Sequence, residues 1–374
     1  MSYLGENIPK LGFGMMRLPM KGDQFDLEQI KDMVDYFMEN GFTYFDTAFV
    51  YQDGMSEKMT KLALVDRYPR EAFQLATKIN AGSFVKDAED AKSQFQISLD
   101  RTGAGYFDYY LLHNLGGERT QRYEEFGLWQ FLQEQKQKGL IKHFGFSFHD
   151  NAEALEKLLI EHPESEFVQL QINYADWEHE SIESRKCYEV ARKYGKPIII
   201  MEPVKGGALS TLSLDVAAPF HKIHPEASHA SWAMRFSASL EGIITVLSGM
   251  STLGQVKDNV SHMKPFIPLN KEELQAVEEV RDALSKVETI GCTSCLYCVK
   301  GCPKHIPIPG VFNSMNSYLA FHNIESAKRS YDSRTETLGK ANECVACGRC
   351  EQVCPQHLHI IDLLGKTASI FDAN

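Results

Sequence analysis

The 374-residue sequence predicts an α/β protein in which eight parallel strands alternate with helices and close into a barrel, followed by a small α-helical domain. Two observations predict this arrangement. Across roughly the first 265 residues, short β-rich runs alternate with longer stretches of helical periodicity. Of the nine cysteines, eight fall between Cys292 and Cys354, and such a shift in composition marks a second domain.

Eight short runs rich in β-branched and aromatic residues are predicted as strands. They are Leu11–Met16, Phe42–Ala48, Phe73–Ile79, Phe107–His113, Ile141–Ser147, Phe167–Tyr174, Pro197–Glu202 and Gly242–Ser248. Runs such as Ile198–Ile200 are continuously apolar, as expected when both faces of a parallel sheet are buried. Eight βα units match a (β/α)8 TIM barrel. An open doubly wound sheet is the alternative. Such a sheet normally has a G-x-G-x-x-G motif after its first strand. Here Gly12 and Gly14 fit the first two glycines, but Arg17 occupies the position of the third.

The domain organisation follows from these elements. Residues 1–268 are predicted to form the barrel, 269–288 a connecting helix and 289–374 the cysteine-containing domain. Asn270 and Glu273 have the spacing of a capping box at the start of the connecting helix, as Asp150 and Glu153 have at an earlier helix. Between the cysteine runs, a further helix is predicted around Tyr318–Tyr331.

Bulk properties indicate a cytoplasmic protein. The formal charge is −11, and no block of basic residues suggests nucleic acid as a partner. No apolar run approaches the ~18 residues needed to span a membrane, and the first residues lack the basic and apolar stretches of a secretion signal. In the reducing cytoplasm, crowded cysteines are expected to bind metal rather than to form disulfides.

The eight crowded cysteines form two runs with the same spacing. Both read C-x2-C-x2-C-x3-C-P, and the residues that follow them also repeat at a constant offset of 52 residues, which indicates an internal duplication. This is the spacing of a two-cluster ferredoxin, in which the fourth cysteine of each run ligates the other cluster. One [4Fe–4S] cluster is therefore assigned to Cys292, Cys295, Cys298 and Cys354, and the other to Cys344, Cys347, Cys350 and Cys302.

Zinc is the alternative for these cysteines. It needs four ligands per ion and commonly takes two separated pairs of cysteines, which fits the duplicated pattern less well. The ninth cysteine, Cys187, lies in a predicted helix and is expected to be an inert buried residue.

Four titratable residues lie at or just after the ends of neighbouring predicted strands: Asp46, Tyr51, Lys78 and His113. Barrel enzymes carry their catalytic groups there. A phenol with a pKa near ~10 is a poor acid at neutral pH, and a nearby ammonium lowers that pKa and stabilises the tyrosinate. Asp46 would hold Lys78, and His113 would orient a substrate carbonyl. This set suits protonation of an alkoxide as hydride arrives.

Several motifs occur in order along the predicted barrel. They are Asp46-Thr-Ala-Phe-Val-Tyr51 with Ser56-Glu57 after it, Lys78, His113, Gly145-Phe-Ser147, Gln171-Ile-Asn173-Tyr174 and Ser248-Gly249-Met250. Together they resemble the aldo-keto reductase family, and with the cysteine runs they resemble its iron–sulfur subgroup, which has a C-terminal two-[4Fe–4S] ferredoxin-like domain. The resemblance implies that the four titratable residues are the catalytic tetrad, with Tyr51 as proton donor.

The resemblance also implies a nicotinamide cofactor, NADP(H) or NAD(H). The implied contacts are Ser147, Gln171, Met201, Gly206, Gly207, Ser248, Gly249, Met250, Gln255 and Asn259. Phe148 stands where many members have asparagine, and Met201 where an aromatic commonly stacks on the nicotinamide. Gly249 and Gln255 occupy the positions of the basic residues that grip the 2′-phosphate, which leaves the choice between NADPH and NADH open.

The lead hypothesis is a carbonyl/alcohol oxidoreductase whose two clusters exchange electrons with an external one-electron carrier, such as a ferredoxin or a flavoprotein. A second hypothesis is an ordinary NAD(P)H carbonyl reductase in which the clusters are structural. A third is a non-catalytic redox sensor or assembly subunit. Substrate identity and oligomeric state leave no signal in the sequence.

Overall fold

The computed structural model describes residues 2–82, 85–180, 182–286, 288–321 and 324–372. Proximity of Cα atoms divides the chain into two compact units, one of Met1–Val204 with Phe220–Val277 and one of Lys205–Pro219 with Glu278–Asn374. The domain bounds 1–268, 269–288 and 289–374 stay a prediction. No helix among the described residues is both long and apolar enough to cross a membrane.

The first unit contains a closed barrel of eight parallel strands, which confirms the predicted fold class. Ten strands occur among the residues that the structure describes, and in chain order they are β1 Leu11–Gly14, β2 Met20–Lys21, β3 Gln24–Phe25, β4 Tyr44–Asp46, β5 Gln74–Ile79, β6 Phe107–Leu115, β7 Ile141–Phe148, β8 Phe167–Gln171, β9 Ile198–Met201 and β10 Ile243–Ser248. The barrel order is β1-β10-β9-β8-β7-β6-β5-β4. Strands β2 and β3 form a small antiparallel hairpin that the sequence analysis missed because each has only two residues.

Sixteen α-helices occur in the described part of the chain. They are α1 Leu27–Glu39, α2 Met55–Thr60, α3 Ala88–Thr102, α4 Glu118–Glu125, α5 Leu128–Gln137, α6 Ala152–Glu161, α7 Ser184–Lys193, α8 Leu214–Ile223, α9 His229–Ala238, α10 Leu253–Met263, α11 Lys271–Leu284, α12 Tyr297–Lys300, α13 Ile308–Phe321, α14 Ile324–Thr335, α15 Arg349–Gln352 and α16 Ile360–Phe371.

Both the inner and the outer face of the barrel strands are buried, as their continuously apolar runs predict. Inside the barrel, side chains from β4, β5, β6, β8, β9 and β10 pack into one cluster that includes Tyr44, Tyr109 and Phe167. On the outer face, Phe13 of β1 contacts Phe37 of α1, with their ring centroids 5.4 Å apart in a T-shaped arrangement. A barrel filled in this way is a solid core, so chemistry is confined to its rim.

The two predicted capping boxes have different outcomes. At α11 the prediction is confirmed, because the Asn270 amide donates to Glu273 (2.8 Å) and the Glu273 amide donates to the Asn270 side chain (3.0 Å). At α6 it is wrong: Asn151 is the N-cap, with its side chain accepting from the Ala154 amide. The Asp150 carboxylate instead accepts from the Gly117 amide in a neighbouring loop. Residue 287, near the predicted end of the connecting helix, lies outside the described residues.

Close approach of β7 and β8 requires a glycine at position 145. A β-carbon there would overlap the Phe167 carbonyl oxygen, which is backbone and cannot turn aside. We expect Gly145→Ala to lower the free energy of unfolding by about 1–3 kcal/mol, as overpacking does. Thermal and denaturant unfolding measure the change. Gly254→Ala is the control, since its nearest neighbour would be Thr252 Oγ1 at 3.7 Å, and an effect equal to that of Gly145→Ala would contradict the prediction.

The second unit repeats its backbone at the offset seen in the sequence. Helices α12 and α15 lie 52 residues apart, as do the first residues of α13 and α16. Left-handed backbone recurs as well, with φ of 52° at His305 and 50° at His357. The single helix predicted around Tyr318–Tyr331 is wrong: helices α13 and α14 cover that region, and residues 322–323 between them lie outside the described residues.

Candidate active site and cysteine sites

Asp46 and Lys78 end up side by side because they lie at the carboxyl ends of the adjacent strands β4 and β5. The Lys78 ammonium donates to Asp46 Oδ1 at 2.5 Å and to the Thr47 carbonyl oxygen at 2.8 Å. Both charged side chains are buried. Burial lowers the pKa of Lys78 and raises that of Asp46, while their mutual attraction opposes both shifts. The rim therefore carries a fixed buried ion pair.

Tyr51 and His113 flank this pair. The Lys78 Nζ atom lies 5.0 Å from the centroid of the Tyr51 ring. The Tyr51 and His113 rings are perpendicular, with their centroids 5.7 Å apart. The structure thus brings together all four residues of the predicted set, supplied by β4, β5, β6 and the loop after β4. A half-buried phenol between an ammonium and an imidazole is an arrangement that can deliver a proton to an oxygen.

His113 is held neutral. Burial is the main cause of a pKa well below the usual 6.5, and the positive charge of Lys78 adds to it. The unfolded chain therefore takes up a proton near pH 6.5 that the folded chain refuses. The unfolding free energy therefore carries no penalty from His113 above about pH 6.5, and it falls as the pH decreases below that value.

The lowered pKa of His113 predicts a measurable dependence of the unfolding free energy on pH. Below about pH 6.5, His113 should cost up to ~1.4 kcal/mol of unfolding free energy per pH unit. We expect His113→Gln to remove this contribution, so that the loss of stability between about pH 7.5 and 5.5 is smaller by about 1.4 kcal/mol than in the natural protein. Denaturant unfolding at the two pH values measures it, and equal losses in both proteins would contradict the assignment.

The cofactor contacts implied by the resemblance are distributed over both compact units. In the first unit, Ser147 Oγ accepts from the Asn114 amide at 2.7 Å, and Gln171 Nε2 donates to Asp176 at 3.0 Å. Asn259 Nδ2 donates to Ser248 Oγ at 2.9 Å. These pairs hold the side chains in place at the rim.

Other implied contacts also lie in the first unit. Met201 is the last residue of β9, and Gly249 and Met250 lie in the loop after β10. The Gln255 side chain accepts from the backbone amide of Ser251. Gly206 and Gly207 lie in the second unit, with left-handed φ of 64° and 101°. A β-carbon on Gly206 would lie 2.5 Å from the Thr293 carbonyl oxygen, so this glycine permits close backbone packing beside Cys292.

Sequence reasoning assigned no role to two residues at the site. Asn114 follows His113 with φ of 63°, and its buried side-chain oxygen has no hydrogen-bond partner among the described residues. Glu57 is fully buried, and its carboxylate accepts from the Thr77 hydroxyl at 2.8 Å and pairs with Arg101 at 3.2 Å. Adjacency to His113 could have signalled Asn114. No local pattern signals the Glu57 partners, because they are far apart in sequence.

Cysteines from both runs lie near one another in the second unit. Four of them line one small open cavity with apolar neighbours such as Ile306 and Leu364. These four are Cys302, Cys344, Cys347 and Cys350. Burial raises the pKa of Cys298 in the first run, and nearby Cys295, Cys292, Cys354 and Cys350 add to the shift. Buried thiolates need a cation beside them, which a metal cluster supplies.

Comparison with known proteins gives two family matches. The model described as "Aldo/keto reductase family" matches residues 10–282, and the model described as "4Fe-4S dicluster domain" matches residues 291–359. The uncharacterized oxidoreductase YqkF of Bacillus subtilis is 22% identical over 305 residues, which cover 73% of this chain and 92% of that protein. An uncharacterized iron-sulfur protein of Methanococcus maripaludis is 29% identical over 98 residues, 25% of this chain and 19% of that protein.

Solved structures show the same fold. The holo form of the aldo-keto reductase AKR11C1 from Bacillus halodurans has a TM-score of 0.60 at 24% identity, covering 75% of this chain and 95% of that one. An aldo/keto reductase from Klebsiella pneumoniae in complex with NADP and acetate has a TM-score of 0.59 at 19% identity, covering 73% and 92%.

The barrel, the charged set on its rim and the cysteine domain define an oxidoreductase that carries an iron–sulfur domain. With a match over residues 10–282, the chain belongs to the aldo/keto reductase family.

Proposed function

We propose that this enzyme reduces a small carbonyl compound, or oxidises the corresponding alcohol, with a nicotinamide cofactor and with Tyr51 as the proton donor. The observation that carries the proposal is the buried Lys78–Asp46 pair, whose ammonium lies 5.0 Å from the Tyr51 ring. The ammonium stabilises the tyrosinate left after proton transfer. Neutral His113 donates a hydrogen bond to the carbonyl oxygen and so orients it.

The rim offers groups that fit a nicotinamide, which when bound supplies the hydride. Ser147 Oγ already accepts one hydrogen bond and keeps its own proton for a carboxamide oxygen. The buried Asn114 oxygen fits a carboxamide N–H and takes the place of the asparagine that Phe148 replaces. NADP(H) is the cofactor named for the Klebsiella relative. Uncharged Gly249 and Gln255 keep NAD(H) as the alternative.

The eight cysteines would hold two [4Fe–4S] clusters in the crossed pattern, Cys292, Cys295, Cys298 and Cys354 for one and Cys344, Cys347, Cys350 and Cys302 for the other. Each cluster would supply one-electron transfer, and two such transfers equal the two electrons of a hydride. An external carrier, a ferredoxin or a flavoprotein in the cytoplasm, would exchange these electrons. Cys347 is exposed, which gives a carrier a short route to the second cluster.

The test is reduction of NADP+ and NAD+ by dithionite-reduced methyl viologen under anaerobic conditions. Two reduced viologens and one proton convert one NADP+ to NADPH, which is followed by its absorbance. We expect the natural protein to catalyse this reaction and Cys347→Ser to lose it, since the substitution removes one thiolate at an exposed position. Cys187→Ser is the control, because Cys187 is a buried residue of α7 in the first unit.

Two outcomes would change the proposal. If folded Cys347→Ser protein keeps the full viologen-driven rate, the clusters are structural and the enzyme is an ordinary NAD(P)H carbonyl reductase. A protein that binds neither nicotinamide would favour a sensor or assembly subunit.

A further inference from the structure

The loop that carries Tyr51 has an unusual backbone. Gln52, Asp53 and Gly54 follow the tyrosine with φ of 49°, 57° and 80°, so three consecutive residues adopt the left-handed conformation. This conformation costs free energy in a residue with a β-carbon, and it persists only where surrounding contacts impose it. Some part of the structure must therefore hold this loop.

Arg101, near the end of α3, makes contacts on both sides of Tyr51 in the sequence. Its Nη1 atom donates to the Phe49 carbonyl oxygen at 3.2 Å, and its guanidinium carbon lies 4.4 Å from the centroid of the Phe49 ring. On the other side, the guanidinium packs against Gly54, where a β-carbon would overlap it. Only a glycine at position 54 leaves room for this contact.

Glu57 fixes the guanidinium in turn. Its Oε2 atom lies 3.2 Å from Arg101 Nη1, and its side chain is fully buried. The other carboxylate oxygen accepts from the Thr77 hydroxyl at 2.8 Å, and Thr77 precedes Lys78 on β5. A buried carboxylate with two partners cannot shift without leaving a charge unpaired, so it is a rigid anchor.

We propose that Arg101 and Glu57 are positioning residues that clamp the Tyr51 loop in its left-handed conformation and so set the phenol against Lys78. Arg101 contacts the loop on both sides of Tyr51, and Glu57 acts through Arg101 rather than on the reacting atoms. Without the guanidinium, the loop is free to relax toward ordinary backbone angles, which displaces the ring. A displacement of about 1 Å in a reacting group can cost about 10²-fold in rate.

The test reads the Tyr51 ring directly and needs no substrate. 3-Fluorotyrosine is placed at position 51 by codon suppression, and its ¹⁹F resonance is recorded in the natural background and in Arg101→Met. We expect one narrow resonance in the natural background and a shifted or multiple resonance in Arg101→Met. Arg101→Lys keeps the charge and should restore part of the natural spectrum.

Arg235→Met is the matched control. Arg235 also pairs with a buried glutamate, with side-chain exposures of 15% for Arg235 and 3% for Glu273, against 23% for Arg101 and 0% for Glu57. Arg235→Met should destabilise the protein while leaving the ¹⁹F resonance of position 51 unchanged. An unchanged resonance in Arg101→Met, or the same change in both variants, would overturn the proposal. If Arg101→Met does not fold, Glu57→Gln is read in the same way.

Kinetics give a second readout, which rests on the proposed function. With NADPH and 4-nitrobenzaldehyde as the probe carbonyl, Arg101→Met should lower kcat by about 10²-fold and leave KM within about twofold, since the loop orients the donor and does not bind substrate. A loss confined to KM would contradict the clamp. Absence of activity in the natural protein would count against the proposed function alone, because the ¹⁹F result stands without it.

Discussion

Replacing Tyr51 with phenylalanine should lower kcat/KM for carbonyl reduction by about 10²–10⁴-fold, the range that a general acid contributes. The substitution removes one hydroxyl and keeps the ring that lies 5.7 Å from His113 and 5.0 Å from Lys78 Nζ. Its packing is therefore retained, and the loss reports the proton alone. Initial rates of NADPH oxidation with 4-nitrobenzaldehyde measure the effect.

Tyr188→Phe is the control for this prediction. Tyr188 lies on α7, outside the charged set, and its hydroxyl donates to the Glu241 carbonyl oxygen at 3.2 Å. Loss of this hydroxyl should leave kcat/KM within about twofold of the natural value. Affinity for NADPH, measured by fluorescence, should be equal in all three proteins. A Tyr51→Phe rate within about threefold of the natural one would show that another group delivers the proton.

The second large effect concerns the crossed ligation of the clusters. If Cys302 serves the cluster of the second run, Cys302→Ser should lose that cluster and lower the iron content from about eight to about four per chain. Adding Cys347→Ser to it should remove little more, because both residues serve one cluster. Adding Cys298→Ser should remove nearly all the remaining iron. Iron and sulfide analysis of anaerobically purified protein measures these changes.

The opposite pattern would contradict the crossed assignment. Uncrossed ligation predicts that Cys302→Ser and Cys298→Ser overlap, while Cys302→Ser and Cys347→Ser add. The structure favours the crossed pattern, because Cys302 lines the same cavity as Cys344, Cys347 and Cys350. Cys187→Ser, in the first unit, should keep about eight irons.

Periodicity and spacing predicted the parts of the fold that depend on local patterns. Continuous apolar runs such as Ile198–Met201 gave strands near the correct bounds, because burial of both faces leaves a strong signal. The duplication at a 52-residue offset predicted the repeated backbone around His305 and His357. Strand ends bring Asp46 and Lys78 together, so topology alone predicted that neighbourhood.

Features that depend on long-range contacts could not be predicted in this way. The left-handed run after Tyr51 has only Gly54 as a local signal, while Gln52 and Asp53 take that conformation in a loop that Arg101 contacts from α3. The shift of the α6 cap from Asp150 to Asn151 has the same cause, because the Asp150 carboxylate bonds to a loop 33 residues away in sequence. Competition between local and distant partners decided both cases.

The proposed function requires that the nicotinamide site and the clusters form one electron path. The most direct measurement is the absorption spectrum of the anaerobically purified protein before and after addition of NADPH or NADH. We expect about eight irons per chain and bleaching of the cluster band on addition of at least one nicotinamide. About eight irons with a cluster band that neither nicotinamide bleaches would contradict the claim.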